Sequence, residues 1–348
     1  MRIEDEIKLT FDDVLIRPKR STLVSRSEVV LEREFKFKHT NEIWTGVPIF
    51  SANMDTTGTF ETAITLQKHK MLTAIHKFYS IKDWEKNVEK LDPNFISVTV
   101  GQSKEDLQLG QKIFSLNSDI KYLCIDVANG YREDFINSVK NYRETFPDKI
   151  IIAGNVATRE MTEALILAGA DIVKIGIGPG SVCTTRSVAG VGYPQLSSIS
   201  ECSDAAHGLG GHVMADGGCK YPGDVSKAFG AGADYVMLGG MFAGHKESGG
   251  ELVTDEEGVQ YKDFYGMSST KAQQTYYGDL AEHRAPEGKK VRLRYKGELD
   301  KTVQSILGGM RSACSYVGAK KLKDLPKSTT FIRVTQTTNE IFTGSENI

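Results

Sequence analysis

The sequence predicts an α/β protein, a closed (β/α)8 barrel, from three observations. Eight short apolar runs recur along the chain, segments of helical character separate them, and glycine-rich turns follow several of the runs. Strand–helix alternation implies parallel pairing, and eight is the number of units that closes such a barrel. A doubly wound open sheet is the rival architecture, but eight evenly spaced units favour closure. At 348 residues the chain has the length of two ordinary domains, yet α/β barrels reach this size as one. We therefore expect a single barrel domain over residues 1–348, with no inserted regulatory domain.

Residues 1–46 are mixed and charged, with one short apolar stretch at 9–16, and read as an N-terminal extension rather than a separate core. The eight runs are 47–54, 72–76, 95–100, 122–127, 150–156, 171–177, 212–215 and 235–238. Between them, 83–91, 104–116, 132–146 and 158–168 read as helices; Thr158-Arg-Glu-Met resembles a helix start and Gly169 supplies the stop. After Gly240 the alternation lapses. Residues from about 244 to 297 form a long polar, glycine-containing insertion after the last strand. That position lies on the face where barrels carry their chemistry, so the insertion reads as a lid. Its run Lys289-Lys-Val-Arg-Leu-Arg-Tyr-Lys alternates like a hairpin strand with a solvated face. Residues 298–317 read as a closing helix, and 320–348 as a polar tail draped over the surface.

Composition narrows the function classes. Hydrophobic content of 40% and charged content of 25% are ordinary for a globular protein. A net charge of −2 leaves no electrostatic footprint for nucleic acid or an anionic membrane. No apolar run approaches a membrane span, and the start MRIEDEIKL is too acidic for a signal peptide. The 5 cysteines show no CxxC spacing and the 7 histidines no HExxH pair, which argues against a disulfide framework or a zinc site. The expectation is a soluble, reduced, cytoplasmic protein.

The chemistry gathers where strand ends meet glycine-rich turns, because the strand C-termini of a barrel share one face. The sixth run leads into Lys174-Ile-Gly-Ile-Gly178-Pro-Gly180-Ser181-Val-Cys183-Thr-Thr185-Arg186. Glycines there let the backbone approach a ligand, and a cysteine among hydroxyls and an arginine suits a nucleophile. Cys183 is the candidate. The second run ends in His76-Lys77, the fourth in Asp126-Val127-Ala128-Asn-Gly, the seventh in Asp216-Gly217-Gly218 and the eighth in Gly239-Gly240. Glycine turns after strands seven and eight are the usual phosphate cradle of a barrel. Asp216 beside them is placed to accept from two sugar hydroxyls, or to cap the next helix. Gly176-Ile-Gly178-Pro-Gly180 is not GxGxxG, which removes a Rossmann reading; the cradle alone would also suit a flavin phosphate.

The loop GIGPGSVCTTR followed by GVGYPQ resembles the active-site loop of the IMP dehydrogenase and GMP reductase superfamily, and the resemblance runs along nearly the whole chain through SANMD, AIHKFYS, IDVANG, AGNVAT, MADGG, MLGGMFAG, FYGMSS and RAPEGK. Three features resemble the reductase branch: no regulatory domain is inserted between strands two and three, Tyr193 and the Gly266-Met267-Ser268 segment match its versions, and Tyr276-Tyr277 lacks the adjacent arginine that dehydrogenases use to activate water. The alternative within the family is a dehydrogenase without regulatory domains.

The resemblance implies NADPH-dependent reductive deamination of GMP to IMP and ammonia. It implies attack of Cys183 on purine C2, with Thr185 and Glu287 managing the proton of the leaving amine. GMP would lie on Ser181, Asp216, Gly217, Gly218, Gly239, Gly240, Gly266, Met267, Ser268, Arg284, Glu287 and Gly288. NADPH would meet Lys77, Asp126, Val127, Ala128, Ile177, Gly178, Met267, Arg284, Ser312, Ala313, Cys314 and Ser315, with Ser25 and Arg26 from an adjacent subunit of a homotetramer. Potassium would be held by Gly178, Gly180 and Cys183 with Arg186 close by. Pro286 departs from the serine that many reductases carry at that place, leaving Glu287 as it is.

Overall fold

The computed structural model describes residues 1–278 and 285–335. Its centre is a closed barrel of eight parallel strands: Ile49–Ser51, Leu72–Ile75, Ile96–Val100, Tyr122–Asp126, Ile150–Val156, Ile172–Ile175, His212–Asp216 and Tyr235–Leu238. The strands pair in sequence order, and the eighth returns to the first through Val236–Ile49 and Leu238–Ser51. Each falls on one of the eight apolar runs, which are apolar on both faces because helices cover the outside and side chains fill the inside. Tyr122, Cys124, Ile150, Ile152, Ile172 and Met214 fill the interior, while Leu123, Ile151, Val173 and Val213 pack outward against the helices. By that alternation Asp126, Lys174 and Asp216 form the uppermost interior layer, at the C-terminal mouth.

The helices follow the sequence expectation closely: Lys104–Leu116, Glu133–Thr145, Arg159–Leu167 and Leu299–Val317. Ser103 caps the first of these in a reciprocal box with Asp106. Thr158 precedes the third helix but does not cap it; its hydroxyl accepts from Tyr131 instead (3.3 Å).

One expectation is extended and another changes. The N-terminal extension is structural: the hairpin of Arg33–Lys36 and Ile43–Gly46 drives Phe35, Phe37 and Trp44 into the other mouth of the barrel. Phe35 stacks on Tyr235 with 4.5 Å between ring centres, and Trp44 meets Tyr122 edge-on. Tyr122 and Tyr235 begin their strands, so this aromatic plug closes the N-terminal end. The tail, expected as a polar surface segment, starts in the core. Leu322 and Leu325 are fully buried, and Phe331–Arg333 pairs with Val14–Ile16. The final residues, 336–348, lie outside the described part.

Beyond the eighth strand, Leu252–Thr254, Gln260–Tyr265 and Lys290–Arg294 form an antiparallel sheet, with the helix Thr270–Tyr276 between its last two strands. The basic run alternates as expected: Lys290, Arg292 and Arg294 are exposed, and Val291 and Leu293 pack on Val182, Ala243 and Phe264. Among the described residues no helix is long and apolar enough to cross a membrane.

The plug is pinned by Asp234, buried just before the eighth strand. Its carboxylate meets Arg33 (3.1 Å), His207 (2.7 Å) and the backbone N–H of Val213 (3.1 Å), with His212 at 3.5 Å. Its hydrogen bond raises the pKa of His207. Burial would depress His212, but the same carboxylate outweighs it and raises that group too. Burial would raise Asp234, yet the two imidazoles hold it well below the usual carboxylate range. The raised histidines stabilise the fold below their unfolded pKa of about 6.5, and that contribution is lost as pH rises through their folded values; the depressed Asp234 contributes above about pH 4. Urea midpoints should therefore fall from about pH 6 to about pH 8.5, and His207→Gln should flatten that slope. Asp234→Ala should cost about 3–5 kcal/mol, since it strands buried charge. An unchanged pH slope in His207→Gln would remove the cluster from the account.

Candidate active site

Cys183 lies in the loop after the sixth strand. Its N–H donates to the Gly180 carbonyl (3.1 Å), and the loop is closed at its base by Tyr193 N–H donating to the Ile177 carbonyl (3.2 Å). The Arg186 guanidinium donates to the Tyr193 carbonyl (2.7 Å). The chain returning from the helix Thr270–Tyr276 then runs along this loop. Cys183 and Gly288 form an antiparallel bridge, Lys289 N–H donates to the Val182 carbonyl (2.9 Å), and Thr184 N–H donates to the Glu287 carbonyl (3.0 Å). Backbone pairing thus fixes where the Glu287 side chain starts.

The result is a hydrogen-bonded chain of three side chains. The Cys183 thiol donates to the Thr185 hydroxyl (3.3 Å), which donates to Glu287 Oε2 (2.7 Å). Glu287 N–H donates to the Ser268 carbonyl (3.1 Å), tying Gly266, Met267 and Ser268 into the same wall. Gly288 is tightly enclosed: a Cβ there would stand 3.0 Å from the Ser269 nitrogen and 3.2 Å from Gly266 Cα. The turns after strands seven and eight close the other side. Gly217, at φ +88°, would bring a Cβ to 3.1 Å from the Gly180 nitrogen, and Gly240 would meet Ser181 Oγ at 3.0 Å. Gly218 and Gly239 adjoin them, so backbone amides rather than side chains line this cradle.

Below the loop lies a group that sequence reasoning passed over. Lys174 is 3% exposed, and its ammonium sits 2.7 Å from Asp126 Oδ1 and 2.7 Å from Asp216 Oδ2. Burial disfavours its charge, but the two carboxylates outweigh that and raise its pKa. Burial likewise works against the Asp126 carboxylate, and Lys174 overrides it and holds the group below its ordinary value. Asn155 Nδ2 donates to Asp216 Oδ2 and to the Gly176 carbonyl, both at 2.9 Å. The available signal was a lysine in the middle of a β-branched buried strand.

A second missed feature is Asp55. The hydroxyls of Tyr265 and Tyr276 both donate to its Oδ2, at 2.5 and 2.6 Å. Tyr276 also stacks on Phe78 with 3.6 Å between ring centres, next to Lys77, whose ammonium lies 5.8 Å from the same ring. Burial first, then Asp55, pushes the Tyr276 phenol well up.

The remaining expected residues divide. Val127 and Ala128 continue from Asp126 at the mouth, with Val127 N–H on the Gly154 carbonyl (2.9 Å). Gly178 sits under Arg186, where a Cβ would stand 2.7 Å from Arg186 Cγ, and the Gly180 carbonyl accepts from Cys183 N–H; a hard cation takes oxygen donors. Arg186 can offer such an ion only its carbonyl. Ser25 and Arg26 form an exposed turn packed on the closing helix that carries Ser312, Ala313, Cys314 and Ser315. Cys314 itself is wholly buried in the core. Among the described residues no hydrogen bond joins this second cluster to the Cys183 loop. Arg284 lies outside the described residues.

Fold and site together define a (β/α)8-barrel protein whose C-terminal mouth carries a thiol linked through a hydroxyl to a carboxylate. Its sequence matches the model of the IMP dehydrogenase / GMP reductase domain over residues 8–341. It is 58% identical over 345 residues to a protein named GMP reductase from Buchnera aphidicola, covering 98% of this chain and 99% of that one. Proteins of the same name are 57% identical in Escherichia coli O81, again over 98% and 99%, and 56% identical in Caenorhabditis elegans over 99% and 97%. The chain belongs to the IMP dehydrogenase / GMP reductase family and is an oxidoreductase.

Accessibility singles out Cys183 chemically. Cys124, Cys202 and Cys314 are buried, and burial pushes their thiols up to about 12, about 11 and about 11. Cys219 is part-exposed as a residue, yet burial of its sulfur raises it as well. Limiting iodoacetamide on the native protein should therefore label Cys183 first, with the other four reacting at speed only after denaturation, as read by peptide mass spectrometry. Faster native labelling of Cys219 would contradict this reading of the mouth.

Proposed function

We propose that this protein catalyses the NADPH-dependent reductive deamination of GMP to IMP and ammonia, with Cys183 as nucleophile. The observation that carries the reading is the Cys183–Thr185–Glu287 chain at 3.3 and 2.7 Å. Near-full-length identity of 58% to a protein named GMP reductase supports the substrate. The glycine turns at 217–218 and 239–240 would hold the phosphate, and Asp216 the ribose hydroxyls. Lys77, Asp126 and the Ile177–Gly178 backbone would hold the nicotinamide side of the cofactor, which when bound supplies one hydride to purine C2.

In the first half-reaction the thiolate of Cys183 adds to C2 and forms a C–S bond. The C2–N bond then breaks, and a proton carried by Glu287 passes through the Thr185 hydroxyl to the leaving nitrogen, which departs as ammonia. A poor leaving group needs such an acid. In the second half-reaction Cys183 would be released from C2 as C2 takes up the hydride that a bound cofactor would supply, and the thiolate would recover its proton from solvent. The sum consumes GMP, NADPH and one proton and yields IMP, NADP+ and ammonia.

The reductive direction rests on Tyr276. An enzyme that hydrolyses the covalent intermediate needs a base to activate water, and Tyr276-Tyr277 has no adjacent arginine. The Tyr276 hydroxyl donates to Asp55 at 2.6 Å, an engagement that favours its neutral form and supports the reading that it is not that base. Residues 244–278 and 285–297 would serve as a lid that excludes water. Potassium on the carbonyls of Gly178, Gly180 and Cys183 would brace the loop. Ser312–Ser315 would also meet the cofactor, with Ser25 and Arg26 reaching it from a neighbouring subunit in a cytoplasmic homotetramer serving purine salvage.

Absorbance loss of NADPH on adding GMP, with ammonia release and little XMP from IMP and NAD+, is the expected outcome. Glu287→Gln keeps size and removes the titrating proton. GMP reduction should fall about 10²–10⁴-fold, while hydride exchange between IMP and NADP+, which involves no amine, persists near the unmodified rate. If both reactions drop together, Glu287 is a binding residue and the proton route is wrong; robust XMP formation would overturn the assignment altogether.

A further inference from the structure

The mouth of the barrel contains a charged group that touches neither proposed ligand. Lys174 sits in the uppermost interior layer, 3% exposed, with its ammonium 2.7 Å from one carboxylate on the fourth strand and 2.7 Å from another on the seventh. Those carboxylates are not buried with it. Asp126 is 27% and Asp216 20% exposed at the side chain, so each presents a face to the mouth while its other oxygen is held from beneath. Asn155 adds a second donor to the same Asp216 oxygen at 2.9 Å.

We infer that Lys174 is a positioning residue that couples nucleotide binding at Asp216 to cofactor binding at Asp126. This rests on the assignment of Asp216 to the substrate ribose and Asp126 to the cofactor. One ammonium shared between two carboxylates polarises both, and hydrogen bonding at one is felt at the other through the shared donor. Removing the Asp126 charge leaves the whole attraction of Lys174 to Asp216, which weakens that carboxylate as an acceptor for sugar hydroxyls. A bridge that merely stabilised the barrel would alter folding and leave the two ligands independent.

Calorimetric binding of GMP alone, with no cofactor and hence no turnover, tests this. Asp216→Asn should weaken GMP binding directly. Asp126→Asn, which changes a side chain the nucleotide does not touch, should also weaken it, by about 5–10-fold, within the usual range of coupling between sites. In a Lys174→Met background the further effect of Asp126→Asn on GMP should shrink to less than about 2-fold. If Lys174→Met fails to fold because two carboxylates are left facing each other, Lys174→Gln, a shorter side chain that removes the shared charge, takes its place with the same expectation. Asp126→Asn binding GMP as the unmodified protein does, while Asp216→Asn weakens it, overturns the coupling and leaves the substrate assignment intact. Asp216→Asn binding GMP normally overturns that assignment, and the coupling with it. An undiminished effect of Asp126→Asn without Lys174 also overturns the proposal, since the route between the sites then lies elsewhere.

Discussion

The site depends on one backbone pairing, the antiparallel contact of Gly288 with Cys183. Thr185 and Glu287 stand 102 residues apart in sequence, and their 2.7 Å hydrogen bond exists because the returning segment is laid against the Cys183 loop by Thr184 N–H, Lys289 N–H and the bridge itself. Two glycines make the approach possible, Gly266 and Gly288, whose backbones touch where side chains would collide. The outer sheet holds that segment in place, through Val291 and Leu293 on Val182 and Phe264. The barrel thus supplies the thiol from a strand end and the carboxylate from an insertion, and neither element builds the hydrogen-bonded chain alone.

Beneath this pairing the barrel interior changes character. Its lower layers are apolar and aromatic, closed by Phe35, Phe37 and Trp44, while the top layer holds Lys174 with Asp126 and Asp216. Burial of an isolated ammonium would be prohibitive, and its two carboxylates make it tolerable. The layer that interrupts the packing is the one under the Cys183 loop, at the C-terminal face where (β/α)8 barrels carry their sites.

The barrel was legible in the sequence because every strand is covered on both sides, so each appears as a compact β-branched run that no helix period imitates. Cys183, Asp216 and the glycine turns were legible for a related reason: parallel topology sends all strand ends to one face. The plug was not. Phe35, Phe37 and Trp44 sit among charged residues in a short hairpin, and nothing local says that their partners are Tyr122 and Tyr235. The tail was misjudged likewise, since Leu322, Leu325 and Phe331 are few and spaced among lysines. Lys174 is visible in the sequence but hidden by its neighbours: its two partners lie on different strands, and only the barrel brings them together. Asp55 was invisible for the same reason, its tyrosines lying 210 and 221 residues away.

The central claim is a covalent bond between Cys183 and the purine. Rapid acid quench of the enzyme mixed with IMP and NADP+, followed by intact-protein and peptide mass spectrometry, addresses it without any variant. The account predicts a nucleotide-sized mass gain confined to the peptide that carries Cys183, appearing at the rate of NADPH formation and discharged by added ammonia. NADPH formation without any protein adduct, or an adduct on a different cysteine, would contradict it.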